Sequence, residues 1–192
     1  MKDLKDVIPL TDPLFFDTDC LSSFLSVGEQ DLLVQLYPGR INIPLQVHRE
    51  LSSLAVPVLK AAVDVLLKQK KAEIKEIEFG TSAYKLFSDL TAPSFANCKA
   101  IGRGEAACIA LARRDGGTIA SNNLSDVRGY AKKYKLRIVT TGIIMVEALN
   151  KKCITEDQAD RIWEQMYCQG FRLGASTFSD YVNSKGFQLN RH

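Results

Sequence analysis

Short apolar runs alternate with amphipathic stretches along most of the chain. Leu14-Phe15-Phe16 is an unbroken apolar run ending in Asp17, the pattern of a short buried strand over 14–17. Leu21, Phe24 and Leu25 stand at helical spacing and place a helix from Leu21 onward. A second helix spans Glu29 to Leu36 and is stopped by Pro38 and Gly39. Arg40-Ile41-Asn42-Ile43 follows as a strand, and Pro44 opens a helix that carries Glu50. Pro57 opens a longer helix with an apolar stripe of Val58, Ala61, Ala62, Val65 and Leu66. Ala72 to Phe79 alternates imperfectly and reads as a strand, and Thr81 to Leu90 reads as a helix.

In the second half, Gly102-Arg103-Gly104 reads as a flexible turn before an Ala-rich helix over 105–114. The small residues of that helix let it lie close against a sheet. Thr118 to Ser121 is a strand, broken by Asn122-Asn123, and Asn123 is placed to cap a helix from Leu124 to Tyr134. Arg137 to Thr140 is the next strand, and Gly142 precedes a helix to Leu149. Thr155-Glu156-Asp157-Gln158 is a capping-box signature, followed by Ala159, Ile162, Trp163 and Met166 on one helical face. From about Gly170 to the end, glycines and serines mix with Phe171, Phe178, Tyr181 and Phe187. Strands alternating with helices imply an α/β fold with a central parallel sheet.

Composition narrows the class. At 192 residues, 46% hydrophobic and 24% charged, the chain has the make-up of a globular protein with one main core. Its net charge of +3 permits nucleic-acid binding without demanding it. Lys99, Arg103, Arg128, Lys132 and Lys133 could supply a basic rim. The five cysteines, Cys20, Cys98, Cys108, Cys153 and Cys168, form no C-x-x-C pair, and His48 and His192 are the only histidines. That set argues against a zinc site and for reduced thiols. Met1-Lys2-Asp3-Leu4-Lys5-Asp6 is not a secretory signal, and no apolar run is long enough to span a membrane, so the expected location is cytoplasmic.

Four acids stand at the mouths of expected elements: Asp17, Glu50, Glu105 and Asp126. Singly, an acid near a helix N-terminus has a plain explanation in the helix dipole. Asp17 is harder to dismiss, because a carboxylate beside three apolar residues is costly unless used. Brought together, the four would carry a charge of about −4, stable only with divalent metal bound or some carboxylates protonated. No Walker or Rossmann glycine loop and no nucleophile elbow is present. His48, two residues from Glu50, points elsewhere on a helix, and Lys68-Gln69-Lys70-Lys71 reads as a solvated helix end.

The motifs together resemble the PIN domain family. Phe15-Phe16-Asp17-Thr18-Asp19-Cys20-Leu21 resembles its opening motif, and Ile43-Pro44 with Val47-x-x-Glu50-Leu51 its second. Gly102-x-Gly104-Glu105-Ala106-x-x-Ile109-Ala110-Leu111-Ala112 resembles the third, and Ser121-Asn122-Asn123-x-x-Asp126 the fourth. The resemblance runs from residue 14 to about 150 and implies a three-layer α/β/α domain over 14–150, with a C-terminal helical extension over 151–192. It implies a metal-dependent endoribonuclease whose catalytic centre is Asp17, Glu50, Glu105 and Asp126. Asp17, Glu105 and Asp126 would hold Mg²⁺ or Mn²⁺, and Thr18, Ser121 and Asn123 would be polar supports. Rim residues Arg103, Arg128 and Lys132 would contact RNA. Many members are toxins, so an antitoxin protein is a candidate partner, and a homodimer is left open. One departure is that many members carry Asp where Asn122 or Asn123 stands.

Two other readings stay open at this level. Asp17-Thr18-Asp19 also resembles the Asp-x-Asp motif of haloacid-dehalogenase-type phosphatases, with Lys132 or Lys133 as the required lysine. A PIN-like fold could also bind RNA or protein with little catalysis, which the Asn pair keeps in play.

Overall fold

A computed structural model describes residues 11–53, 57–92 and 100–187. Cys98, Lys99 and His192, named above, lie outside the described residues. Five strands form one all-parallel sheet: β1 (Leu14–Phe16), β2 (Ile41–Pro44), β3 (Ala72–Lys75), β4 (Thr118–Ala120) and β5 (Arg137–Val139), in the order β3-β2-β1-β4-β5. Leu14 pairs with Ile41 on one side and Thr118 on the other, and Phe16 stands opposite Ala120. Leu14, Phe15 and Phe16 are wholly buried, as a central strand covered on both faces requires.

Ten helices flank the sheet among the described residues: α1 (Thr18–Leu25), α2 (Gln30–Leu36), α3 (Leu45–Ser53), α4 (Pro57–Lys68), α5 (Ser82–Thr91), α6 (Arg103–Asp115), α7 (Leu124–Tyr134), α8 (Thr141–Asn150), α9 (Glu156–Cys168) and α10 (Phe178–Lys185). The result is the expected three-layer α/β/α architecture. Helix α6, with Ala106, Ala107, Ala110 and Ala112 buried, packs across β1, β2 and β4. Its small side chains allow that close approach.

The connectivity decides where a site can form. From β1 the chain steps outward to β2 and β3, then returns to lay β4 on the free side of β1. The reversal between β1 and β4 is a topological switch point, where open α/β sheets bind ligands at the carboxyl ends of their strands.

Several elements start earlier than their sequence patterns indicate. Helix α1 begins at Thr18, directly after its Asp17 cap, rather than at Leu21. Helix α6 begins at Arg103, so Gly104 lies inside its first turn rather than in a flexible turn. Helix α8 begins at Thr141, capped by the Thr140 hydroxyl, with Gly142 already helical. Pro44 ends β2 instead of opening α3, and β3 stops at Lys75. On α4 the buried stripe is Leu59, Val63 and Leu66, while Val58 is 62% and Val65 47% exposed. That helix carries two apolar faces, and packing selects one. The mixed tail contains α10, whose Phe178 and Tyr181 pack on the buried Trp163 of α9.

Candidate active site

Asp17 sits at the switch point. Its backbone N–H donates to the Ala120 carbonyl at 2.9 Å, continuing the β1–β4 pairing one step past the strands. Its extended backbone then turns into α1, and Oδ1 accepts the Cys20 N–H at 2.8 Å as the helix cap. One carboxylate oxygen is thereby used by the fold. The other, Oδ2, is buried without a hydrogen-bond partner, on a residue only 2% exposed. Burial pushes the Asp17 carboxyl up to about 7, the nearby Ser121 hydroxyl and the Cys20 N–H pull it back, and Glu105 and Asp19 add repulsion.

The other acids arrive from three helices. Glu50 lies in the second turn of α3, and its Oε2 accepts the Thr18 hydroxyl. Glu105 lies in the first turn of α6, where Asn123 Nδ2 donates to its Oε1 at 2.9 Å. The same amide donates to Asp126 Oδ2 at 3.0 Å, so one side chain clasps two carboxylates. Asn123 stands at the cap position of α7, but its side chain serves these acids and makes no capping bond. Ser121, fully buried after β4, accepts the Asn123 N–H on its hydroxyl at 3.1 Å.

The two glycines of the third motif supply room. A Cβ on Gly104 would lie 3.1 Å from Glu50 Oε2 and 3.4 Å from the Thr18 hydroxyl. A Cβ on Gly102 would overlap the Glu105 carboxylate, 2.2 Å from Oε2. The absence of side chains there lets α6 begin in contact with both acids.

Asp17, Thr18, Asp19, Glu50 and Glu105 line one cavity of about 320 Å³. An adjoining cavity of about 460 Å³ shares Asp19 and Glu105 and adds Asn122, Asn123 and Arg172. Three of the four expected acids thus share a cavity. Asp126 lines neither and joins the site through Asn123. Among the described residues no three acidic, histidine or cysteine side chains close into a ready-made metal cage.

The donor set nevertheless suits a divalent cation. A buried carboxylate oxygen with no partner is a ligand in waiting, and the surrounding oxygens are those that Mg²⁺ and Mn²⁺ prefer. Asp17 through Oδ2, with Glu105 and Asp19 beside it, are the residues that could hold one, and Asp126 stands behind Asn123.

Asp19 is a further site member outside the four expected acids, and its place two residues after Asp17 is the signal in the sequence that points to it. It lines both cavities, and desolvation raises its pKa against the opposing pull of Asn122 and Arg172. Arg172, in the irregular stretch after α9, has no periodic signal at all. Asn122 is a brace rather than a weakened acid. Thr141 N–H donates to its Oδ1 and its Nδ2 donates to Thr141 Oγ1, both at 2.9 Å, which ties the end of β4 to the start of α8. Of the basic rim, Arg128 lines a third cavity, Lys132 is exposed one turn further along α7, and Arg103 stacks over Phe87 at 5.3 Å. The thiols of Cys20 and Cys108 are fully buried, and that burial, with the nearby carboxylates, raises them well above their ordinary range and keeps them protonated.

A doubly wound α/β sheet with carboxylates gathered at its switch point defines the class. The profile of a family described as a PIN domain matches residues 14–186. The chain belongs to the PIN domain family, whose members are generally nucleases. No curated protein matches the chain.

Proposed function

We propose that the protein is a metal-dependent endoribonuclease that hydrolyses RNA phosphodiester bonds at the Asp17 centre. The observation that carries this reading is the buried, unpartnered Oδ2 of Asp17 at the switch point, ringed by further carboxylates. A fold keeps such an oxygen at a cost of about 1–3 kcal/mol unless a ligand uses it. A bound Mg²⁺ or Mn²⁺ supplies Lewis acidity, lowering the pKa of water and neutralising phosphate charge.

The chain's own residues orient and hold. The α1 cap fixes Asp17 through Oδ1 at the wall of the cavity and leaves Oδ2 without a partner. Asn123 holds Glu105 and Asp126 side by side, because its amide donates to both. Thr18 holds Glu50 by its hydroxyl, leaving the second Glu50 oxygen to accept a proton from water. Arg172, at the edge of the adjoining cavity, meets a phosphate that the carboxylates would otherwise repel.

The phosphatase reading fits less well. It needs a lysine beside Asp17 and Asp19, and neither Lys132 nor Lys133 lines the cavities that hold those acids. Its lysine candidates are exposed on α7, with Lys133 lying over the Tyr134 ring.

The test is cleavage of single-stranded RNA by the purified protein in Mn²⁺, with a chelator control and Asp17→Asn. Cleavage should need the metal and fall about a hundredfold or more in the variant. A variant that cuts as fast as the parent would remove Asp17 from the mechanism.

A further inference from the structure

The sheet edge that carries the acids also carries a larger cleft, of about 820 Å³, built mostly from segments after β4. Its walls combine two chemistries. Ile138, Leu173 and Phe187 present apolar surface, and Arg128, Arg172 and Lys185 present exposed cationic heads. No acidic residue lines it among the described residues.

The cleft is continuous with the acid centre. Asn122, Leu124 and Arg172 line both it and the 460 Å³ cavity. That cavity in turn shares Asp19 and Glu105 with the one at Asp17. The three form one trough, acidic at Asp17 and basic and apolar at the far end, with Arg172 at the junction.

Resting on the ribonuclease reading, we propose that this far end is a nucleotide subsite. It holds the part of a single-stranded RNA that flanks the cleaved bond, with a base against Ile138, Leu173 and Phe187 and phosphates on Arg128, Arg172 and Lys185. Three cations in a cleft without an acidic wall suit a polyanion, and apolar walls suit the face of an unstacked base. A duplex buries its base faces by stacking and could offer only its phosphates. Because α10 and the stretch before it build one wall, the C-terminal segment becomes part of the substrate track.

The experiment measures binding of a short fluorescein-labelled oligouridylate to the full chain carrying Asp17→Asn, which binds without cutting. Adding Arg128→Glu and Lys185→Glu should weaken binding about tenfold or more, and should flatten its salt dependence by about 0.7 in logarithmic slope for each phosphate that is no longer neutralised. Lys68→Glu with Lys70→Glu makes the same charge change at the opposite strand edge and should leave affinity nearly unchanged. A thiouridine-substituted oligonucleotide should photocrosslink to peptides within residues 172–187. All variants are compared by thermal midpoint, so that a folding defect is seen as such. Unchanged affinity on reversal at 128 and 185, or crosslinks confined to other surfaces, would overturn the subsite and leave the cleft to a different occupant, such as a protein partner. Cleavage by the parent is read in parallel. A parent that cuts RNA but is indifferent to the reversal loses the subsite alone, whereas one that neither binds nor cuts loses the nuclease reading as well.

Discussion

Asp17 divides its two oxygens: Oδ1 caps α1, and Oδ2 is buried without a hydrogen-bond partner, the oxygen that the proposed metal would use. The division has a thermodynamic signature. The carboxyl titrates at about 7 in the folded, metal-free protein against an ordinary 3.8, so the native state holds the proton more tightly than the unfolded chain does. That contribution is fully present below the unfolded value and is lost as pH rises through about 7. The gap of roughly three units corresponds to about 4 kcal/mol at most. Without divalent metal, Asp17→Asn should therefore raise the thermal midpoint at about pH 8, with the gain shrinking toward about pH 4. A variant no more stable than the parent at the higher pH would show that the ionised carboxylate is not strained. At this scale the sequence is informative where chemistry forces a choice. An acid at the end of an all-apolar strand must be used, and Asp17 is legible for that reason. Asn123 looks like a helix cap in the sequence because one residue type serves both caps and carboxylate clasps, and only tertiary neighbours decide between them.

Elements place these residues, and their starts matter more than their existence. Asp17 and Thr140 each follow a strand directly, Thr155 follows a turn, and all three cap the next helix with a side-chain oxygen. The capping box at Thr155 is readable because both halves lie within one local turn. The early start of α6 is not, because glycine signals a turn locally, whereas here Gly102 and Gly104 make room for Glu105 and Glu50. The α10 helix is hidden for a related reason: its buried residues face α9 and α8 rather than the sheet. Gly142 of α8 is the contact point, since a Cβ there would lie 2.3 Å from the Tyr181 ring. Gly142→Ala should accordingly push α10 away and cost about 1–3 kcal/mol, visible as a lower midpoint in urea unfolding. A neutral outcome would mean that α10 rides loosely on α8. RNA affinity should fall with it, because Tyr181 and Phe187 line the cleft.

For the whole molecule, strand order does the assembling. With β1 in the middle and the reversal beside it, residues far apart in the chain, at 17, 50, 105 and 123, reach one edge of the sheet. The alternation of strands and helices makes a parallel α/β fold legible, and the four motifs make the PIN family legible. Neither periodicity nor motif could show the trough. Its basic end depends on a non-repetitive stretch around Arg172, and its position follows from packing of α8, α9 and α10. The family match through residue 186 takes in that stretch, so the acid centre and nearly all of the cleft lie within one matched span. The charge layout is consistent with a polyanion entering over Arg128, Arg172 and Lys185 and reaching the carboxylates only with a divalent ion to receive it. The most direct test of that centre is an anomalous difference map from crystals soaked in Mn²⁺. A peak in contact with Asp17 Oδ2 is expected in the parent and should vanish in Asp17→Asn. An empty map at Asp17, with Mn²⁺ bound only at surface carboxylates elsewhere, would contradict a metal-dependent active site.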